Sequence, residues 1–248
     1  MKEVLPLPRI SFWLYPFTTS HLHYFTPYKK MIAVIDYGMG NLRSVSKAIE
    51  HVARGAQVCV TDDPSVVRGA ERVVFPGQGA MPDCMRELRG RGLYEAVIDA
   101  ARDKPFLGIC IGLQMLFECS EEGDTPGLSV LPGRVRRFAH ELSDANGQKL
   151  KVPHMGWNEV EQRVEHPLWT GIAQNSRFYF VHSYYAEPAI SGLTAGVSRY
   201  PGEFACAAAR DNLFAVQFHP EKSAAAGLRL LANFATWSPG QSQLSNAA

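Results

Sequence analysis

From Met31 onward, short apolar runs alternate with longer stretches whose apolar residues recur at helical spacing. MIAVID (31–36) is strand-like, and LRSVSKAIEHVA (42–53) repeats apolar residues every three or four positions. AQVCVT (56–61) is a second strand-like run, and ERVVFPG (71–77) a third that ends in a Pro-Gly turn. Residues 82–102 have helical spacing with a break near Gly90 and Gly92. KPFLGI (104–109) predicts a strand, and IGLQMLFECS (111–120) a helix. Strands separated by helices predict an α/β fold with a doubly wound, mainly parallel central sheet. Ligands bind such sheets beyond the carboxyl ends of the strands. The loops at 37–41 and 76–80, and residue 110, sit at ends of that kind.

The second half is richer in strands. RVRRFA (134–139), NEVEQRV (158–164), RFYFVHSYYA (177–186), LTAGVSRY (193–200), EFACAAARD (203–211) and LFAVQFH (213–219) are short strands with turn residues between them. They predict antiparallel additions to the parallel sheet. SAAAGLRLLANFATW (223–237) predicts a closing helix with Ser223 as N-cap. The pattern makes 31–238 one domain and 239–248 a flexible tail, and no internal repeat is visible. The first thirty residues carry aromatics and prolines without a helical or alternating period. They are expected to be an extension, disordered or upstream of the true start, and their lack of a small-residue cleavage site argues against a signal peptide.

Composition narrows the class. A net charge of +1 over 248 residues gives no strong pull toward nucleic acid or membrane. No run reaches the eighteen or so uninterrupted apolar residues of a membrane helix. The five cysteines, at 59, 84, 110, 119 and 206, form no C-x-x-C pair. That argues for a reducing, cytoplasmic setting and against a disulfide framework or zinc site. DYGMGNL (36–42) fails the dinucleotide fingerprint, since no third glycine follows Gly38-x-Gly40. A simple turn is expected there, and no cofactor or metal is expected anywhere.

One cysteine stands apart. Cys110 lies in Gly108-x-Cys110-x-Gly112, between an apolar strand and a helix-like run. A buried structural cysteine has no need of flanking glycines, whereas a nucleophile on a tight strand-to-helix elbow does. There the first amides and the helix dipole favour thiolate over thiol. The amide of Ile111 would face a developing oxyanion. The plainer reading is a cysteine buried in a core turn. QFHPEKS (217–223) offers a partner, because His219 and Glu221, two residues apart, leave an extended backbone on one side. A thiolate needs such an acid–base and its orienter. Taken alone, the motif could be a surface loop. PGQGAM (76–81) could supply a second oxyanion donor from an inward-facing amide, or be an ordinary turn. His154 and His182 lack metal-ligand spacing, and His154 is taken as a hydrogen-bonded structural residue. The remaining cysteines look structural.

GICIGLQ, HSYY and FHPEKS, in that order on this pattern, resemble the class I glutamine amidotransferases. PHMGWN (153–158), with DYGMGN and YFVHSYY, is similar to the glutaminase subunits of imidazole glycerol phosphate synthase, within that family. The resemblance spans roughly residues 31–237. It implies a flavodoxin-like three-layer sandwich and hydrolysis of glutamine to glutamate and ammonia for histidine biosynthesis. It also implies a heterodimer with a (β/α)₈-barrel cyclase subunit that receives the ammonia. On matching positions, Cys110 is the nucleophile, His219 the acid–base and Glu221 its orienter. Ile111 and the Gly77–Gln78 turn form the oxyanion hole; many relatives have valine where this chain has Gln78. Gly79, Gln114, His182, Ser183 and Tyr184 hold glutamine, and Asn41, Trp157, Asn158 and Lys222 lie at or near the cyclase interface. The competing readings are a glutaminase of another pathway, a freestanding cysteine hydrolase and a non-catalytic binding subunit. A freestanding hydrolase should act without a partner, and a binding subunit should lack a triad member.

Overall fold

The computed structural model describes residues 31–139, 141–143 and 146–240. The expected extension at 1–30 and most of the expected tail lie outside them. Four strands open the chain: β1 (Met31–Ile35), β2 (Gln57–Thr61), β3 (Arg72–Gly77) and β4 (Phe106–Cys110). Between them run α1 (Leu42–Val52), α2 (Pro64–Gly69), α3 (Met81–Gly90) and α4 (Tyr94–Asp103). The strands lie in the order β2-β1-β3-β4, all parallel. β3 and β4 are buried along their whole length, which is why both are nearly continuous apolar runs.

The order reverses direction between β1–β2 and β2–β3. Right-handed crossovers then put α1 on one face and α2 and α4 on the other. The packing agrees: α1 lies against the closing helix α6 (Ala224–Thr236), and α2 lies against α4. Local chemistry fixes the starts. Asn41 Oδ1 accepts from the Ser44 amide at the head of α1. Asp63 Oδ1 accepts from Ser65 N at 2.7 Å, with Pro64 in the first turn of α2. The pattern of apolar residues did not predict α2, because its six residues are too few for a period.

After the elbow the chain departs from expectation. Only Ile111–Gln114 is helical, as α5. Met115, Leu116 and Phe117 then run through the core, fully buried, and their carbonyls accept amides from residues 128–131. A run apolar on every side gives no period to separate helix from coil or strand. Cys119–Ser120 is a short strand, β5, so Cys119 lies on no helix and is exposed. β5 pairs with β6 (Thr125–Pro126) and β7 (Gly133–Arg137). A small separate hairpin follows, β8 (Leu142–Ser143) with β9 (Lys149–Leu150).

The β-rich half extends the sheet as predicted. It contributes β10 (His154–Gln162), β11 (Ser176–His182), β12 (Tyr184–Pro188), β13 (Thr194–Arg199), β14 (Glu203–Arg210) and β15 (Leu213–Val216). β15 lies parallel beside β4, and β14, β12 and β7 continue outward antiparallel to it or to each other. RFYFVHSYYA is two strands rather than one. The chain breaks at Ser183, because β11 pairs with β10 while β12 pairs with β7 and β14. Among the described residues no helix is long and apolar enough to cross a membrane.

Candidate active site

Cys110 ends β4 and precedes α5, with φ 56° and ψ −113°. That is a left-handed backbone value for a residue with a side chain, of order 1–3 kcal/mol above an ordinary one, and such strain gathers at functional sites. Both flanking glycines have a steric reason. A Cβ on Gly112 would sit 1.9 Å from the Phe75 carbonyl oxygen of β3. One on Gly108 would sit 2.9 Å from Ala215 Cβ of β15 and 3.1 Å from the Gly112 oxygen. The elbow therefore exists only because two small residues let α5 settle onto the sheet. With four residues, α5 brings first-turn amides to the sulfur rather than the dipole of a long helix.

β15 is the next strand to β4, so the chain after it arrives beside Cys110. The His219 amide donates to Tyr179 O on β11 at 2.9 Å. The Ser223 hydroxyl donates to the His219 carbonyl at 2.6 Å and accepts from the Tyr179 amide at 3.0 Å. Ser223 does stand at the head of α6, but its hydroxyl makes no capping bond because it is used in this tie. His219 Nδ1 is 2.9 Å from Glu221 Oε1, and both side chains are buried. A carboxylate can only accept, so Nδ1 carries the proton. Nε2 is buried, with no hydrogen bond of ordinary geometry among the described residues, and is coupled in charge to Cys110. Burial pushes the His219 imidazolium down. The interactions with Cys110 and Glu221 outweigh that and hold it up at about 10.

Gly77 pairs in register with Cys110 across β3 and β4. It must be glycine, since a Cβ would meet the Tyr37 hydroxyl at 2.4 Å and Ile111 Cβ at 2.9 Å. The next residue, Gln78, has its carbonyl 3.6 Å from Cys84 Sγ. Burial pushes that thiol up to about 11, so it stays a donor. Gly79 has φ +112°, a conformation that favours glycine. At the first strand end, the Gly38 amide donates to Asp36 Oδ1 at 2.8 Å, the simple turn expected of DYGMG.

A cavity of about 250 Å³ opens over the elbow. Of the residues singled out from the sequence, it brings together Gln78, Gly79, Cys110, Ile111, Gln114, His182, Ser183, Tyr184, His219 and Lys222. Gly77 and Glu221 stand behind this lining. Asn41, Trp157 and Asn158 lie outside it. The sequence reading missed Glu122, Pro153 and Val181, which lack a local signature and reach the wall through the fold. It also missed Gln217, which was in plain view two residues before His219. Gln217 is fully buried; its Nε2 lies 3.8 Å from Cys110 Sγ, and its Oε1 accepts from Gln114 Nε2 at 3.0 Å. Gln114 Nε2 also donates to the Tyr184 carbonyl at 3.0 Å.

His182, in the cavity wall, and His154, behind it, belong to one hydrogen-bonded chain, the kind of setting expected of His154. His182 Nδ1 lies 2.8 Å from the Tyr184 carbonyl, which can only accept, so Nδ1 is protonated. His182 Nε2 then accepts from His154 Nδ1 at 3.0 Å, and His154 Nε2 accepts from Asn158 Nδ2 at 3.2 Å. Burial pushes His154 down to about 4 and His182 to about 3, so both are neutral. Among the described residues no group of acidic, His and Cys side chains could hold a metal.

Beside the cavity mouth, the outer face of β10 and β11 is apolar. Met155 is 62% and Trp157 45% exposed. Across the pair, Met155 stands opposite Val181 and Trp157 opposite Tyr179. Lys222 lies 6.0 Å over the Tyr179 ring. Asn41 is spent on capping α1, and Asn158 also donates to Arg199 O.

The family model for glutamine amidotransferase class-I matches residues 33–236. A relative from Nitrosospira multiformis described as imidazole glycerol phosphate synthase subunit HisH is 68% identical over 209 residues, covering 84% of this chain and 98% of its own. Relatives of the same description from Thiobacillus denitrificans and Dechloromonas aromatica are 65% and 67% identical, covering 85% and 84% of this chain and 92% and 97% of their own. A solved glutamine amidotransferase structure superposes with a TM-score of 0.62 at 17% identity, over 82% of this chain and 98% of that one. Another, from Thermotoga maritima, gives 0.53 at 17% identity, over 78% and 77%. At that identity the structures speak for the fold.

Proposed function

The chain belongs to the class I glutamine amidotransferase family, and from that premise we propose that it is the glutaminase subunit of an imidazole glycerol phosphate synthase. It hydrolyses L-glutamine to glutamate and ammonia, and hands the ammonia to a cyclase subunit in histidine biosynthesis. The observation that carries the reading is the Cys110 elbow beside the buried His219–Glu221 pair, with Cys110 and His219 both in the wall of one small cavity.

Cys110 attacks the side-chain amide carbon of glutamine, and the carbonyl electrons move to oxygen. The amides of Ile111 and of the Gly77–Gln78 turn take that oxyanion. As the oxyanion collapses, the C–N bond breaks and His219 gives its Nε2 proton to the departing ammonia. Water then attacks the thioester, His219 takes a proton from it, and the C–S bond breaks. Glutamate leaves and the thiolate is restored. Glu221 orients the ring and stabilises its charged form throughout. Gly79, Gln114 and the 182–184 segment grip the amino-acid end of the substrate. Asn41, Trp157, Asn158 and Lys222 lie at or near the partner's surface, and the exposed Met155–Trp157 face supports that. Bound there, a cyclase barrel would receive ammonia close to where it is made.

Glutamate release is measured for the full chain alone, with the cyclase subunit, and with that subunit plus its nucleotide ligand. A steep rise across the three is expected. Full activity in the chain alone would overturn the partner-gated reading in favour of a freestanding hydrolase. Cys110→Ala should abolish glutamine-dependent synthesis by the complex and leave ammonia-dependent synthesis intact. Loss of both would make Cys110 structural.

A further inference from the structure

We infer that Gln217 is a further catalytic residue, whose side-chain amide donates a hydrogen bond to Cys110 Sγ and favours the nucleophile in its charged form. The inference rests on the reading of Cys110 as the nucleophile. Which end of the Gln217 amide meets the sulfur is fixed by a chain of donors and acceptors anchored in the backbone. The Tyr184 carbonyl can only accept, so Gln114 must turn its nitrogen toward it. The same nitrogen has a second N–H, aimed at Gln217 at 3.0 Å. Gln217 must therefore present its oxygen to Gln114, which leaves its nitrogen facing Cys110 Sγ at 3.8 Å. Turning over either amide would set nitrogen against nitrogen or oxygen against oxygen.

Gln217 is fully buried, and its backbone N–H donates a hydrogen bond to the Cys206 carbonyl at 2.8 Å. A buried N–H without an acceptor is costly, and the sulfur is the acceptor offered. A thiolate accepts better than a thiol, since hydrogen bonds to charged partners are roughly twice as strong. The bond therefore biases Cys110 toward thiolate. This matters more here because α5 is too short to supply a long helix dipole. Sulfur is thus approached from two sides: His219 exchanges the proton, and Gln217 holds the charge.

The test compares wild type with Gln217→Met, which keeps shape but removes the donor, and Gln217→Glu, which keeps shape but turns an acceptor or a negative charge toward sulfur. The readout is the rate of Cys110 alkylation by iodoacetamide across pH, followed by peptide mapping in the full chain, together with kcat in the complex. The expected order is wild type, then Met, then Glu. The Met variant should alkylate about tenfold more slowly near neutral pH. Equal rates in wild type and whichever variant folds would overturn the inference, as would a Glu variant faster than Met. Glutaminase activity surviving in Cys110→Ala would instead sink the underlying nucleophile reading, so the two failures are distinguishable.

Discussion

Adding one methyl group to Gly112 tests whether the elbow depends on close approach of α5 to β3. The new Cβ would lie 1.9 Å from the Phe75 oxygen, 1.5 Å short of the 3.4 Å where ordinary contact begins. The obstacle is backbone in a fully buried central strand, so it cannot swing away as a side chain tip would. Either α5 lifts or β3 is pushed aside. Overpacking a well-packed core costs about 1–3 kcal/mol, and a clash with backbone belongs at the upper end. About 3 kcal/mol in a domain of this size lowers the unfolding midpoint by roughly 6–12 °C. The catalytic loss should exceed what stability alone explains. Lifting α5 moves the Ile111 amide and Cys110 by up to an ångström, and a misplacement of that size costs on the order of 10²-fold. Gly108→Ala meets its neighbours only at 2.9 and 3.1 Å, so it should be milder. Gly90→Ala, at the exposed end of α3 with nothing within 4 Å of its Cβ, should be neutral or stabilise by about 0.5 kcal/mol. Calorimetry gives the midpoints and glutamate release from the complex gives kcat. The steric argument fails if Gly112→Ala melts within a degree or two of wild type and keeps its kcat, or if Gly108→Ala is the worse of the pair.

The remaining predictions concern charge and contact. Glu221→Gln removes one of the interactions that hold His219 up, so its titration, followed by imidazole NMR, should move down from about 10. A raised folded value means that the stability it contributes is complete below about 6.5, the unfolded value, and is lost as pH rises toward 10. The decline in unfolding free energy over that window should therefore shrink in Glu221→Gln, and an unchanged slope would count against the pair. Trp157→Ala should weaken binding to the cyclase subunit by about 30-fold, the scale of a central aromatic anchor, with little change in unfolding midpoint. Calorimetric titration showing unchanged affinity would move the partner surface elsewhere.

The parallel half of the fold was legible because its central strands β3 and β4 are buried along their whole length and glycine and proline punctuate them. β3 and β4 announce themselves in RVVFPG and FLGIC, and Gly108 and Gly112 mark the elbow before any coordinates exist. The chain after the elbow was not legible. Met115, Leu116 and Phe117 touch core on all sides, so their pattern has no polar face to set a period. Ser183 ends one strand and starts another, and only the pairing partners of β11 and β12 reveal the break. The site divides the same way. Cys110, His219 and Glu221 carry their chemistry in local spacing. Glu122, Pro153 and Val181 reach the cavity from segments with no local sign of it.

Gln217 shows a third case, in which the residue is visible but its task is not. It lies one residue past the end of β15 in a stretch buried throughout, and nothing local says which way a buried amide points. The answer comes from a carbonyl more than thirty residues away in sequence. Tyr184 O orients Gln114 and also accepts the hydrogen bond from His182 Nδ1–H. One backbone oxygen thus fixes the direction of two polar chains. Through Gln114 and Gln217 one runs to Cys110 Sγ. Through His182 and His154 the other runs to Asn158, next to the exposed Trp157. Because both histidines are held neutral by burial, every donor in the second chain has a fixed sense above pH about 4. Ser183 and Tyr184 also follow β11 directly, so a partner pressing on the outer face of β10 and β11 would act on the strand that leads to this oxygen. The bonds between that face and Cys110 run from 2.8 to 3.8 Å and each has a fixed direction, so they form a continuous route by which a partner docked there, as proposed, would bear on glutamine hydrolysis.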